Sequence, residues 1–311
     1  MNWQTLLNTT PNVTSLKMVE DASSTTLFPL TSLKVIRVEG DDATTFLHSL
    51  FTNDVQSLAP LTGQLTGFCS PKGRLLALFY LIKREKDILL ILPEEIMAST
   101  LQRLSMFKLR SKVSLTCADD LVVSGCYSST PLFENGTSIW QALEKENHLL
   151  IRFPGRDFRY LVVSDSSEDV IETESIGNAE LWTQLDIESG LPLIYLNSKE
   201  QFTPQQINLD MIGGVSFKKG CYPGQEVVAR LHYLGTPKRR MFKAVIDTTT
   251  PPLPNTEVNN SNGEVIGHVV LATAGKTDSP VLLSMKLADV EQTALIKGQT
   301  VMHLSPLVEE A

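Results

Sequence analysis

Between Gly63 and Pro93 the chain reads GQLTGFCSPKGRLLALFYLIKREKDILLILP, a stretch that severely limits what this protein can fold into. Its apolar run from Leu75 to Ile82 is eight residues long, whereas a helix that crosses a bilayer needs about 20. Pro71, Lys72 and Gly73 supply one turn, and the charged tip from Lys83 to Asp87 supplies another. The segment therefore predicts three strands. With 311 residues and 42% hydrophobic content, the chain can bury a substantial core, and its length predicts two or three domains.

The flanking sequence extends this pattern. LKVIRVEG (33–40) alternates like a half-buried strand, and Asp41 and Asp42 open an amphipathic helix with Phe46, Leu47, Leu50 and Phe51 on one face. That helix ends at TNDV, Thr52 to Val55. A helix is predicted over 94–109, strands over 112–117 and 120–127, a helix near 137–144, and strands at HLLIRFP (148–154) and FRYLVVS (158–164). This succession predicts an α+β layer. A Ser/Asp/Glu-rich link over 164–178 leads to NAELWTQLDIESG, which has helical spacing and stops at Gly190. A long polar loop follows from Leu191 to Gly214, and loops of that length are usually functional or mobile. From Met241 onward, short alternating strands between Pro, Asn and Gly turns predict a small β-barrel or sandwich.

Local signals exclude several functions. No P-loop, strand-placed GxGxxG, GxSxG or HExxH motif is present. Cys69, Cys117, Cys126 and Cys221 are scattered without a CxxC pair, so no metal site is predicted. The same scatter fits a reducing compartment. The N-terminal sequence has neither a basic nor an apolar targeting pattern, so a cytoplasmic protein without a membrane anchor is expected. His48 and His268 read as surface residues of a helix and a strand. A net charge of −8 argues against coating a duplex. The segment 217–240 is different: Lys218, Lys219, Arg230, Lys238, Arg239 and Arg240 face only Glu226, a net +5 that leaves −13 for the rest. Such an island suits a polyanion, whether a polyglutamylated cofactor or an RNA backbone, or else a solvated face with local ion pairs.

Cys221 lies in that island, in FKKGCYPGQEVVAR (217–230). Pro223 suits the first position of a helix whose first turn is Gly224, Gln225 and Glu226. A thiol just before a helix start, beside Lys218 and Lys219, is expected to favour the thiolate. Local reasoning leaves two readings open, a reactive or ligand-competent thiol and a side chain that packs the turn. Cys69, Cys117 and Cys126 read as structural. Glu188, at the end of the Trp182 helix, is either a carboxylate for the amide-like edge of a pterin or a helix-end residue beside a core tryptophan.

Taken together, LFTNDV (50–55), CSPKGRLLA (69–77), DIESGLPLI (186–194), FTPQQINLD (202–210) and GGVSFKKGCYPGQEVVAR (213–230) resemble the YgfZ family. These are folate-binding proteins linked to tRNA modification and iron–sulfur enzyme maintenance, related to the glycine-cleavage T-protein. The resemblance runs from about residue 30 to the end, and its most specific part is KGCYPGQE. It implies a T-protein-like α+β fold around a central folate pocket. Residues 1–240 would form the folate-binding region, as two interwoven α+β subdomains with the second at about 70–165, and 241–311 would form the barrel. It also implies tetrahydrofolate or a derivative as cofactor, with Glu188 on the pterin ring, Trp182 on the pocket-lining helix, and Asn53 and Asp54 at the pocket side of the first helix. Lys219, Gly220, Cys221, Tyr222, Gly224, Gln225, Glu226 and Arg230 match the family signature, with Tyr222 and Arg230 among the cofactor-binding positions. Where the T-protein carries its catalytic Asp pair, this chain has Leu76 and Ala77, so glycine-cleavage activity is not expected. The resulting expectation is a monomeric accessory protein, acting through Cys221 on iron–sulfur enzymes such as those that thiolate tRNA, with no stable nucleic-acid complex. A folate-dependent methyl or aminomethyl transferase and a direct tRNA-binding protein remain as alternatives.

Overall fold

In the computed structural model, which describes residues 1–20, 25–133, 138–145, 147–155, 158–171, 173 and 175–307, helices and strands succeed one another along the chain. Two short helices, α1 (Trp3–Asn8) and α2 (Leu16–Glu20), precede strands β1 (Thr26–Pro29) and β2 (Leu33–Glu39) and helix α3 (Ala43–Leu50). Strands β3 (Thr62–Cys69), β4 (Leu75–Lys83) and β5 (Ile88–Pro93) follow, then helix α4 (Glu94–Phe107). The next strands are β6 (Ser114–Cys117), β7 (Leu121–Ser128), β8 (Ala142–Lys145), β9 (His148–Phe153), β10 (Phe158–Asp165) and β11 (Ser175–Ile176). Helices α5 (Ala179–Glu188) and α6 (Gln225–Tyr233) lead to β12 (Arg239–Ile246), β13 (Glu257–Asn259), β14 (Val265–Ala272), β15 (Ser279–Lys286), β16 (Leu295–Ile296) and β17 (Gln299–Pro306).

The chain divides into two units of interleaved segments. The first comprises Met1–Phe46, Ser57–Gln64 and Tyr80–Leu185; the second comprises Leu47–Gln56, Leu65–Phe79 and Asp186–Ala311. The first unit holds a six-stranded sheet ordered β11-β1-β7-β10-β9-β8. Leu27, Cys126, Tyr160 and Val162 from that sheet form a buried cluster with Trp3 and Leu6 of α1. A five-stranded sheet has the order β3-β4-β5-β2-β6, and its predicted three-strand run is present with both turns in place.

The second unit contains a closed six-stranded barrel, β12-β15-β14-β13-β16-β17, as the alternating pattern after Met241 predicted. Closure leaves no exposed sheet edge, which suits a small β domain. Val258, Val269, Val281, Leu283 and Met285 fill its interior. The loop before the barrel is tied to it by Asn208, whose Nδ2 donates to Met241 O at 3.0 Å while its Oδ1 accepts from Met241 N at 2.9 Å.

The helix expected near 137–144 is absent over its described part, Thr137 lying outside the described residues. Gly63 N donates to Trp140 O at 2.7 Å and Ala142 N donates to Leu61 O at 2.8 Å, so the backbone at the start of β3 takes the groups a helix would pair internally. Residues 142–145 then form β8, paired with β9. No helix among the described residues is long and apolar enough to cross a membrane.

Candidate functional site

The carbonyls at the C-terminal end of α3 lack partners within the helix, and a cation there also meets the negative end of the helix dipole. Lys219 supplies that cation. Its Nζ donates to His48 O, to Phe51 O at 2.5 Å and to Asn53 O at 3.3 Å, and it lies 5.2 Å from the centre of the Tyr222 ring. The lysine is only 8% exposed. Burial pushes its ammonium down to about 8, with Asp54 opposing the shift.

Asn53 and Asp54 build the loop that follows. Asn53 Nδ2 donates to Leu65 O at 2.9 Å and Gly213 O at 2.8 Å, and its Oδ1 accepts from Asp54 N at 2.9 Å. Asp54 Oδ1 lies 3.1 Å from His48 Nδ1 and accepts from Gln56 N at 3.0 Å. Burial, and then Lys219, lowers the His48 pKa. His48 is thus part of this cluster, where the sequence predicted a surface residue. Burial likewise holds the phenol of Tyr222 well above its ordinary value.

The motif segment is fixed on the turn between β3 and β4. Gly224 has φ +81° and Gly73 has φ +70°. A Cβ on Gly224 would meet Ser70 O at 2.5 Å and Gly73 Cα at 2.7 Å, and a Cβ on Gly73 would meet Val227 Cβ at 2.8 Å. Only glycine permits this backbone and this approach. Consequently α6 begins at Gln225 rather than at Pro223, because Gly224 is left-handed and stands outside the helix as its N-terminal cap. Cys221 is exposed, as are Gly220, Glu226 and Arg230, while Gln225 is half-buried and Tyr222 buried. Among the other cysteines, burial pushes Cys69 and Cys126 up to about 12 and is also the main reason Cys117 reaches about 11.

Trp182 and Glu188 share α5 but not a face, since six residues of helix turn through about 240°. Trp182 is 2% exposed within the core of the first unit, with the Arg159 guanidinium 4.2 Å from its ring centre. A Cβ on Gly125 would come within 2.2 Å of the same ring, so that position also needs a glycine. Glu188 is exposed, and its Oε2 lies 3.0 Å from Lys243 Nζ on β12. In the sequence neither Trp182 nor Glu188 signalled these partners.

The basic segment is not a continuous charged face. Lys219 is turned inward, Arg240 Nη1 donates to Asp210 at 2.8 and 3.0 Å, and Arg239 is half-buried. Lys218, Arg230 and Lys238 are the cations of that segment left exposed. No group of three or more His, Cys, Asp or Glu among the described residues is arranged to hold a metal ion. Leu76 and Ala77 are buried in β4, with no ionisable group at that point of the strand.

Two interleaved units, the second of which holds the closed C-terminal barrel, form an aminomethyltransferase-like fold. The glycine cleavage system aminomethyltransferase T from Bartonella henselae superposes with a TM-score of 0.73 over 94% of this chain and 89% of its own, at 16% sequence identity. No family model matches the chain. Among curated relatives, the tRNA-modifying protein YgfZ from Hamiltonella defensa is 31% identical over 236 residues, covering 70% of this chain and 69% of that protein. The protein of the same name from Yersinia enterocolitica is 25% identical over 97% of this chain and 98% of its own. The chain belongs to the YgfZ family.

Proposed function

We propose that this protein is a tetrahydrofolate-binding accessory factor in tRNA modification, sustaining iron–sulfur clusters in enzymes such as those that thiolate tRNA, with Cys221 as its working side chain. The observation that carries this reading is the build of the KGCYPGQE segment. Lys219 and Tyr222 are buried on either side of an exposed Cys221, and the Gly73–Gly224 approach fixes the segment on the β3–β4 turn. A thiol held in this way is presented to a partner while its neighbours stay fixed. The family's tRNA-modifying name supports the tRNA-related part of the reading.

Support for folate comes from the aminomethyltransferase-like fold and from the donor set. Glu188 keeps an exposed carboxylate, with one oxygen on Lys243 and the other without a hydrogen bond among the described residues, and a carboxylate can accept paired N–H bonds from the edge of a pterin. Lys243 would orient that carboxylate. The enclosed Trp182 would hold α5, and Asn53, with its amide donors on Leu65 O and Gly213 O, would shape the loop after α3. Bound folate would supply one-carbon or redox capacity. Leu76 and Ala77 have no proton to exchange with a folate amine, which favours the accessory reading over aminomethyl transfer.

Calorimetry with tetrahydrofolate tests the binding claim: the wild type is expected to bind, and Glu188→Ala to weaken binding about tenfold, the loss of one charge-assisted contact. No binding by the wild type, or unchanged affinity in the variant, would remove the site. Cys221→Ala is expected to keep the fold and lose complementation of thiolated-tRNA levels; full complementation would exclude the thiol.

A further inference from the structure

The start of the motif segment and the end of α6 form an aromatic platform at the surface. The Phe217 ring and the His232 imidazole are stacked, with centroids 3.6 Å apart and planes 9° from parallel. Tyr233 meets both edge-on, at 6.1 Å from Phe217 and 4.7 Å from His232, and its hydroxyl donates to Phe217 O at 3.4 Å. Despite this internal order the outer side is open: Tyr233 is 64% and Leu234 84% exposed.

Exposed cations surround the platform. Lys218 adjoins Phe217, Arg230 lies one helical turn before Tyr233 and Leu234, and Lys238 follows four residues after Leu234. Lys72 is exposed on the turn whose Gly73 touches Val227 of α6. Among the described residues none of these four takes part in an ion pair, although the whole chain carries −8. Glu226 is the one acidic side chain in the segment 217–240.

We propose that this face of α6, together with Phe217 and Lys72, docks the unpaired nucleotides of an RNA. Free cations select an anionic partner, and an open aromatic platform among them suits bases that stack while their phosphates are neutralised. An acidic protein surface would engage the cations and leave Tyr233 without a role. The choice of RNA over DNA rests on the tRNA-related reading above; the platform itself is independent of folate.

Fluorescence anisotropy of the full-length protein, without folate, tests this with a short labelled unpaired oligoribonucleotide. The wild type is expected to bind at low salt. Tyr233→Ala should weaken binding about fivefold or more with an unchanged salt slope, since stacking contributes about 1–3 kcal/mol per base. Replacing Lys72, Lys218 and Lys238 together by Gln should reduce the slope of log affinity against log salt by about 2, from about 0.7 per lost phosphate contact. Should Tyr233→Ala lower the melting temperature, the more exposed Leu234→Ser takes its place. Absence of binding at low salt, insensitivity to both platform variants, or equal binding of polyglutamate, duplex RNA or the matching single-stranded DNA would overturn the proposal. Because folate is left out, failure here leaves the calorimetric test of the folate site standing, and the reverse also holds.

Discussion

Lys219 shows what a single residue does in this molecule. Its three carbonyl acceptors belong to residues 166 to 171 positions earlier in the chain, so no local pattern announces that this lysine turns inward. Sequence reasoning counted it with Lys218 as positive charge beside Cys221, whereas the structure uses it to close the end of α3. The consequence for stability has a definite sign. The folded ammonium titrates near 8, against 10.5 for an unperturbed lysine. Between those pH values the unfolded chain still binds a proton that the folded state has released, so this residue's contribution to stability rises with pH across the window. The melting temperature of the wild type minus that of Lys219→Met is therefore expected to grow from pH 8 to pH 10. A flat difference would show that the three carbonyls keep the proton on the amine.

At the scale of elements, the β3–β4 turn and the start of α6 act as one piece. The turn was legible because Pro71, Lys72 and Gly73 carry their own conformational preference. The start of α6 was read two residues early, because Gly224 takes φ +81° to lie against Ser70 and Gly73, a contact between residues about 150 apart. Gly224→Ala combines left-handed strain with a 2.5 Å approach to a backbone oxygen. It should cost about 2–3 kcal/mol in urea denaturation and should also raise the mobility of a spin label on Cys221. Unchanged stability would mean the two backbones separate freely. The absent helix near 137–144 has the same origin, since its carbonyl and amide groups are claimed by Leu61, in the turn before β3, and by Gly63 of β3.

For the whole molecule, α3, β3, β4 and α5 each begin in one unit and end in the other, so hydrogen-bonded elements continue through every crossing except the one in the loop at residues 56 and 57. A single cooperative unfolding transition is expected. Leu283→Ala, at a fully buried barrel position, should shift that whole transition by about 2–5 kcal/mol, measured by denaturant titration with probes in both units. Two separated transitions, only one of them displaced, would show that the units unfold independently. The sequence by itself determined β2 to β7, β9, β10, β12, β14 and β15, helices α3 to α6 and the C-terminal barrel, because alternation, turn chemistry and apolar runs act over a few residues. The short strands β1, β8, β11, β13 and β16, the last strand β17 and the helices α1 and α2 were not read. Its motifs also carried the family resemblance. Only the tertiary structure decided which glycines are obligatory, which lysine is buried, and which cations remain free around Phe217, His232 and Tyr233. Those outcomes depend on burial and on partners that lie well beyond one helical turn or one hairpin along the chain, where local periodicity carries no information.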